Sequence, residues 1–238
     1  MNRDKVRGYA KYALMGLVGL VLLGGLAFWL IRPIRTQRIS RIGEWFQNPS
    51  VHTNWQVEIG ERCGDAVMLI PTTGFIGVGW RDGLRPIYQH TGYDIFSPDG
   101  ADNVTPIIAA YDGYLTREAD WRSAVIIRHP DFPAIVEGEQ IWTYYTHMAS
   151  TDGNTSYVSP DFPPGTTEKF VEAGTLLGYQ GTWSGNPDSP TGLHLHFSVV
   201  KSTSDGGYEN ETKIGNTYDP ALFLGLEADE HGTLVCRK

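Results

Sequence analysis

Two histidines separated by a single residue are the most informative chemical groups in this sequence. His194 and His196 lie in an apolar run that also contains Leu195 and Phe197. Because successive side chains of a β-strand point to opposite faces, the two imidazoles would share one face above an apolar layer. Neutral imidazole is a common metal ligand. An ordinary half-exposed strand has the same pattern, so the pair alone does not establish a metal site.

A further histidine lies four residues before a carboxylate. On a straight strand His90 and Asp94 would be about 13 Å apart, too far to bind one metal ion together. Thr91 and Gly92 lie between them, and glycine tolerates the backbone angles of a sharp bend. A bend there would bring both side chains to one site.

A fourth histidine, His147, ends an aromatic stretch. By itself, a histidine in such a position is more often a surface or core residue.

Together these segments offer two histidines and one carboxylate as metal ligands, with two histidines to spare. Catalytic zinc sites commonly use three protein ligands and keep one position open, whereas structural sites are closed by four, often cysteines. Cys63 and Cys236 lie far from these histidines in the sequence. The set therefore predicts a catalytic metal site. A non-haem iron oxygenase uses the same ligand types and is an alternative.

The segments that must position these residues predict a mainly β, antiparallel domain at 51–238. From Val51 onward, Gly, Pro, Asp and Asn recur between short runs rich in Val, Ile, Tyr and Trp, and no long helical period competes. Residues 152–169 predict a long loop, a candidate wall of a substrate groove. The predicted strands are Ala66–Ile70, Tyr93–Phe96, Ile107–Ala110, Ala124–Arg128, Gln140–Thr146, Thr175–Tyr179 and Leu193–Val200.

The order of the motifs resembles the lysostaphin and LytM-type metallopeptidase family. That order is His-x-x-x-Asp at 90–94, Tyr-x-His at 145–147 and His-x-His at 194–196. The resemblance covers about residues 70–200, including a lead-in at 71–81, a hairpin at 108–115 and a Gly-rich approach at 171–185. Two features depart from the family pattern: the loop after His147 is longer, and Met148 stands where Leu is more familiar.

The resemblance implies a duplicated hybrid motif fold, LytM-like, with one zinc ion (Zn2+) held by His90, Asp94 and His196. It implies that His147 and His194 are catalytic and move protons while zinc activates water, with the general base not assigned between them. The implied substrate is a stem peptide or cross-bridge of bacterial cell-wall peptidoglycan. Some family members are instead non-enzymatic regulators of a partner hydrolase, which is the alternative. A carbohydrate-binding domain, suggested by seven Trp, is a weaker one.

The N-terminal region predicts a membrane anchor. Residues 12–31 contain no charged side chain. At about 1.5 Å per residue, a helix of that length spans roughly 30 Å, the thickness of the apolar core of a bilayer. We therefore predict a cytoplasmic tail at 1–11, a transmembrane helix at 12–31 and a juxtamembrane linker at 32–50. Because a short basic tail is held inside, the catalytic domain would lie outside the cytoplasm at the cell membrane.

Charge is divided unevenly along the chain. The first 45 residues carry eight Lys or Arg against two acidic residues, and since the whole chain has a net charge of -8, the remainder carries -14. The acidic remainder of the chain argues against nucleic acid as a partner, because phosphate binding depends on Lys and Arg.

The two cysteines could form a disulfide. Outside the cytoplasm Cys63 and Cys236 could be linked, but the sequence leaves open whether they approach each other.

Overall fold

The computed structural model describes residues 40–83, 88–133 and 140–236, in two compact units. In the first unit, Met1–Glu44, residues 40–44 are helical and Ser40 Oγ donates a hydrogen bond of 2.8 Å to Glu44 Oε1. The second unit, Trp45–Lys238, contains all features below. Across the described ranges, no helix has the length and apolar character needed to cross a bilayer. The predicted transmembrane helix at 12–31 lies outside those ranges.

The second unit consists mainly of short β-strands, because turn residues interrupt its apolar runs every few positions. Residues 45–47 are helical, and one α-helix, Ala221–Leu224, and three 3₁₀ turns follow, Pro49–Val51, Thr53–Trp55 and Ile214–Asn216. The strands are β1 Gln56–Val57, β2 Gly74–Val78, β3 Tyr93–Phe96, β4 Pro106–Ile108, β5 Gly113–Thr116, β6 Val125–His129, β7 Ile141–Thr146, β8 Lys169–Val171, β9 Leu176–Tyr179, β10 His194–Lys201, β11 Thr217–Tyr218, β12 Leu226–Ala228 and β13 Leu234–Cys236.

Nine of these strands form one antiparallel sheet, which confirms the predicted mainly β fold. The order is β1-β2-β3-β10-β7-β6-β5-β8, and β11 also pairs with β10. Two small sheets, β4-β9 and β12-β13, complete the unit. Strand β10 lies between β3 and β7, so His196 has a neighbouring strand on each side, whereas His194 pairs with β3 and forms an isolated bridge with Gly181.

Strand β10 buries alternate side chains in the core and turns its histidines to the other face. Leu195, Phe197 and Val199 are each 0% exposed and belong to the main core cluster, where the ring of Tyr145 lies 5.2 Å from that of Phe197. Burying such a side chain contributes about 1.5–3 kcal/mol. A slip of one residue would turn all three away from this cluster and turn the histidines into it, so the core fixes the register that places the histidines.

Six predicted strands match β3, β4, β6, β7, β9 and β10, with ends that differ by at most two residues. The seventh, Ala66–Ile70, is wrong. Successive backbone N–H groups at 68, 69 and 70 donate to the carbonyls of Phe223, Ala110 and Glu61, at 3.1, 2.8 and 2.9 Å. A strand keeps the same one or two neighbouring strands along its length. This segment instead joins three separate parts of the chain, and its alternating apolar residues enter the core without a sheet partner.

A disulfide between Cys63 and Cys236 ties the start of the domain to its last strand. Their Cα atoms are 5.0 Å apart across a sequence separation of 173. Cys63 is buried, and Cys236 ends β13 opposite Leu226 of β12. The structure therefore contains the disulfide bond whose existence the sequence alone does not decide.

The Cys63→Ser/Cys236→Ser double variant is expected to lower the free energy of unfolding by about 2–4 kcal/mol, because a cross-link over a long loop restricts the unfolded chain. Urea unfolding of the variant beside the oxidised wild type measures the difference. Wild type treated with a reductant is the control and should shift equally. An unchanged midpoint in both would show that the bond contributes no stability.

Burial makes His129 a source of pH-dependent stability. The imidazole is 1% exposed, its Nδ1 donates to the carbonyl of Asp112 over 2.7 Å, and Nε2 lies 2.8 Å from Thr143 Oγ1. Burial lowers its pKa from 6.5 to about 4. Between these values the unfolded chain binds a proton that the folded protein does not, so stability is lost as the pH falls through this window.

We expect this residue to remove about 3 kcal/mol of stability between neutral pH and pH 4. Urea unfolding of wild type and His129→Gln across that range isolates the effect, since the amide keeps polar contacts but does not titrate. Wild type should lose more stability than the variant by that amount. Parallel pH profiles would contradict the prediction.

Candidate metal centre

Antiparallel pairing gathers four of the five predicted site residues around β10. Asp94 of β3 lies directly opposite His196, and Thr146 of β7 lies opposite His196 on the other side. Side chains opposed in this way have Cβ atoms about 4.5–5.5 Å apart. His147 follows Thr146, and His194 shares the face of His196 two residues away. The register of three strands therefore builds most of the site.

The fifth residue, His90, reaches the site through a bend at Gly92. A Cβ added at Gly92 would lie 2.3 Å from the backbone oxygen of Phe197 and 2.5 Å from Ser198 Oγ. Only glycine therefore allows this segment to run so close to β10. The predicted bend is present, and close backbone approach, not a left-handed conformation, is what requires glycine there.

His90, Asp94 and His196 place three ligand atoms in a small triangle. Asp94 Oδ1 lies 2.9 Å from His90 Nε2 and 2.9 Å from His196 Nδ1, and the two nitrogens are 3.0 Å apart. A tetrahedral zinc ion with bonds of about 2.0–2.1 Å separates its ligand atoms by roughly 3.3 Å. The triangle would need to open only slightly to hold such an ion.

Hydrogen bonds fix which nitrogen of each imidazole faces the triangle. His90 Nδ1 donates to the carbonyl of Gly79 over 3.1 Å, and His196 Nε2 donates to Glu211 Oε1 over 2.8 Å. A neutral imidazole has one N–H, so the inner nitrogens direct lone pairs at Asp94. Facing lone pairs repel one another, so these three atoms favour a positive charge between them, either a proton taken up by one imidazole or a metal ion. Two imidazoles and a carboxylate fit zinc.

The electrostatics of the triangle also attract positive charge. Burial disfavours the charged form of His196, but hydrogen bonds with Asp94 and Glu211 outweigh it and raise the pKa of this imidazole to about 10. Burial likewise disfavours the Asp94 carboxylate, yet the charge of His194 and hydrogen bonds from three imidazoles hold the pKa of Asp94 well below its usual value. The raised pKa of His196 and the lowered pKa of Asp94 both show that this site favours positive charge.

His147 and His194 lie beside the triangle. His147 Nδ1 donates to the carbonyl of Trp183 over 2.5 Å, and His194 Nδ1 donates to that of Gly192 over 2.7 Å. The two ring centroids are 4.5 Å apart. His194 Nε2 lies 3.3 Å from Asp94 Oδ1. In the neutral rings Nε2 carries no hydrogen, so each can accept a proton.

His147 has two features typical of a catalytic group. Its φ of 76° lies in the left-handed region, which few residues other than glycine adopt and which recurs at active sites. Burial, then the charges of His194 and His196, lowers its pKa to about 3. The imidazole is therefore neutral near pH 7, with its Nε2 unprotonated.

Glu211 is a site residue that the sequence analysis missed. Its Oε1 accepts hydrogen bonds from His196 Nε2, Thr91 Oγ1 and Ser198 Oγ at 2.8, 2.8 and 3.2 Å. Burial opposes its charge, but the hydrogen bond and charge of His196 prevail and lower the pKa of Glu211 to about 2. Ser198 could have been found, because it continues the His-x-His alternation; Glu211 lies on an irregular segment without any pattern.

Glu211→Gln is expected to weaken metal binding by about 10- to 100-fold, because a carboxylate partner orients a ligating histidine and raises its basicity. Competition with a chromogenic chelator measures the affinity. Glu209→Gln, which removes a charge two residues away, is the matched control. Equal weakening in both variants would attribute the effect to net charge and not to the contact with His196.

A cavity of about 550 Å³ opens beside the histidines. His147, His196 and Glu211 lie in its wall. The other lining residues are Tyr88, Asp120, Trp121, Arg122, Ser123, Ala124, Tyr144, Thr146, Trp183, Ser184, Gly185 and Thr212.

The loop at 152–169 contributes no lining residue, so it does not form the predicted wall of this cavity. Gly153 instead lies against Trp183, where an added Cβ would come within 2.8 Å of the indole ring. The guanidinium of Arg122 lies 5.8 Å from the centre of that ring. The loop therefore supports the wall that Trp183 forms and leaves the cavity open.

No protein-family model matches the chain, and no curated protein matches it. Similar solved structures exist. Lysostaphin, LytM and M23 peptidase catalytic domains are among its structural neighbours.

Helicobacter pylori Csd3 is 19% identical over 67% of this chain, with a TM-score of 0.40, and the match spans 35% of Csd3. The lysostaphin catalytic domain from Staphylococcus simulans is 18% identical over 64% of this chain and 90% of its own, with a TM-score of 0.41. A LytM from Ruminococcus gnavus is 19% identical over 56% of this chain and 45% of its own, at a TM-score of 0.36.

Proposed function

We propose that this protein is a membrane-anchored zinc metalloendopeptidase that hydrolyses peptide bonds of bacterial cell-wall peptidoglycan, in a stem peptide or a cross-bridge. One observation carries the proposal. Three lone-pair atoms of His90, Asp94 and His196 converge on one point, and two more imidazoles lie beside it at the end of an open cavity. A purely structural metal site has no use for the additional histidines.

Zinc bound at this point supplies a Lewis acid and lowers the pKa of water towards 7. The chain's own residues supply the proton transfers. His147 lines the cavity and is held through Nδ1 by the carbonyl of Trp183, so its Nε2 can accept a proton from the attacking water. The same nitrogen can then deliver that proton to the leaving amine.

His194 lies in a different environment from His147, so we propose a different role for it. It does not line the cavity, and its Nε2 lies 3.3 Å from Asp94 Oδ1. A proton held there would be shared with the carboxylate and would add positive charge at the metal point, where it would oppose the negative charge that develops on the carbonyl oxygen. We assign His194 to stabilising that charge and His147 to base catalysis.

The cavity suits a short peptide segment. Its volume is within the range of ligand sites, and Trp121 and Trp183 offer apolar faces around a few polar groups. The assignment to peptidoglycan takes its support from the motif resemblance. The predicted helix at 12–31 would hold the domain outside the cytoplasm, within reach of the wall.

The test uses the purified full chain. Metal analysis after purification without added metal distinguishes zinc from iron, and iron would support the oxygenase alternative. Release of new amines from peptidoglycan and from pentaglycine is then followed. Cleavage by the zinc-loaded protein supports the endopeptidase, and zinc-loaded protein that cleaves neither substrate would favour the non-enzymatic regulator.

A further inference from the structure

A second cavity, of about 360 Å³, adjoins the large one and is called the side cavity. The two share Trp121, Tyr144 and Glu211 in their walls. The rest of its described lining is Ile126, Tyr208, Glu209 and Asn210. The two cavities therefore lie on either side of the same three side chains.

Three aromatic rings, those of Trp121, Tyr144 and Tyr208, line the side cavity. The ring of Trp121 lies 5.6 Å from that of Tyr144 and 6.1 Å from that of Tyr208. Ile126, which is 1% exposed, contributes an apolar side chain. Tyr208 is held in place because its hydroxyl donates to Glu118 Oε1 over 3.1 Å. The walls suit a methylene chain, which gains contact area there without requiring hydrogen bonds.

Negative charge accompanies this apolar wall. Glu209 and Glu211 line the side cavity, and its described lining contains no Lys or Arg. Burial, followed by Glu118 and then Asp120, raises the pKa of Tyr208 to about 12. Glu209 Oε2 accepts a hydrogen bond of 3.2 Å from Asn216 Nδ2, so one oxygen of this carboxylate is anchored.

We propose that the side cavity is a specificity pocket for a substrate residue that carries a protonated primary amine at the end of a methylene chain. The methylenes lie against Trp121 and Tyr208, and the ammonium meets Glu209 and the aromatic faces. This inference rests on the proposed peptidase function, because it names the side chain accepted beside the scissile bond.

The position of Glu211 determines how near the amine-bearing substrate residue lies to the bond that is cleaved. Glu211 lines both cavities and contacts His196 over 2.8 Å. One side chain therefore separates the side cavity from the triangle. An extended peptide advances about 3.3 Å per residue, so the amine-bearing residue occupies one of the first two positions from the cleaved bond.

The first experiment compares acetylated pentaglycine amides in which each position in turn carries lysine or norleucine, which lacks only the terminal amine. At one position, kcat/KM for the zinc-loaded full chain should favour lysine by about 5- to 10-fold. Glu209→Gln should reduce that preference to roughly 2-fold or less. Glu172→Gln removes the same charge from an exposed position outside both cavities and should leave the preference intact.

The second experiment measures binding of the same peptides to the His147→Ala full chain by calorimetry, so it does not depend on cleavage. Tighter binding of a lysine peptide that Glu209→Gln abolishes supports the pocket, even if wild type cleaves nothing and the proposed function fails. Equal affinities for lysine and norleucine at every position overturn the pocket, even if wild type is an active peptidase. The lysine preference should also shrink at high salt.

Discussion

Replacing His147 with alanine is expected to lower kcat/KM for peptide hydrolysis by about 10²- to 10⁴-fold, the usual contribution of a positioned acid–base group. The reason is geometric and electrostatic. Trp183 holds Nδ1 of this ring, the ring lines the cavity, and its lowered pKa keeps it neutral near pH 7. Zinc content should not change, because His147 lies outside the triangle of His90, Asp94 and His196.

Steady-state cleavage of a fluorogenic wall peptide and metal analysis of the same preparation check this result. His231→Ala is the matched control, since that side chain is 62% exposed, and it should leave both quantities unchanged. A His147→Ala protein that has lost zinc would place His147 among the ligands. A variant with full activity would remove His147 from the chemistry and leave His194 as the base.

Alternation within one strand was the part of the site that the sequence predicted well. Leu195 and Phe197 are fully buried while His194 and His196 share the opposite face, as a period of two requires. The bend before Asp94 was also predictable, because glycine interrupts the segment that carries it. What the sequence does not contain is the pairing register, which sets Asp94 opposite His196.

Features that depend on distant segments could not be predicted. Glu211 follows His196 by fifteen residues on an irregular segment and reaches it only through the fold of the chain. The apolar alternation at 66–70 predicted a strand, yet its N–H groups bind three separate segments. The loop at 152–169 was expected to form a groove wall, but it packs behind Trp183. In each case a tertiary contact, absent from local sequence, decides the outcome.

His196→Ala is expected to abolish stable zinc binding and, with it, peptide hydrolysis. The substitution removes one of three atoms in the triangle and leaves only His90 and Asp94. The loss of affinity should exceed the about 10- to 100-fold effect of removing an outer partner of a ligand. Chelator competition measures it, with His194→Ala for comparison. The reverse pattern, zinc lost with His194→Ala and kept with His196→Ala, would exchange the two assignments.

This variant also leaves the Glu211 carboxylate without its imidazole partner, and a buried charge that loses its partner destabilises a fold strongly. Loss of zinc could then reflect partial unfolding. The His196→Ala/Glu211→Gln double variant separates the two causes, because it removes the charge as well as the ligand. We expect urea unfolding to show stability recovered in the double variant while zinc binding stays absent. Zinc binding that returns together with stability would mean that His196 supports the fold and does not hold the metal.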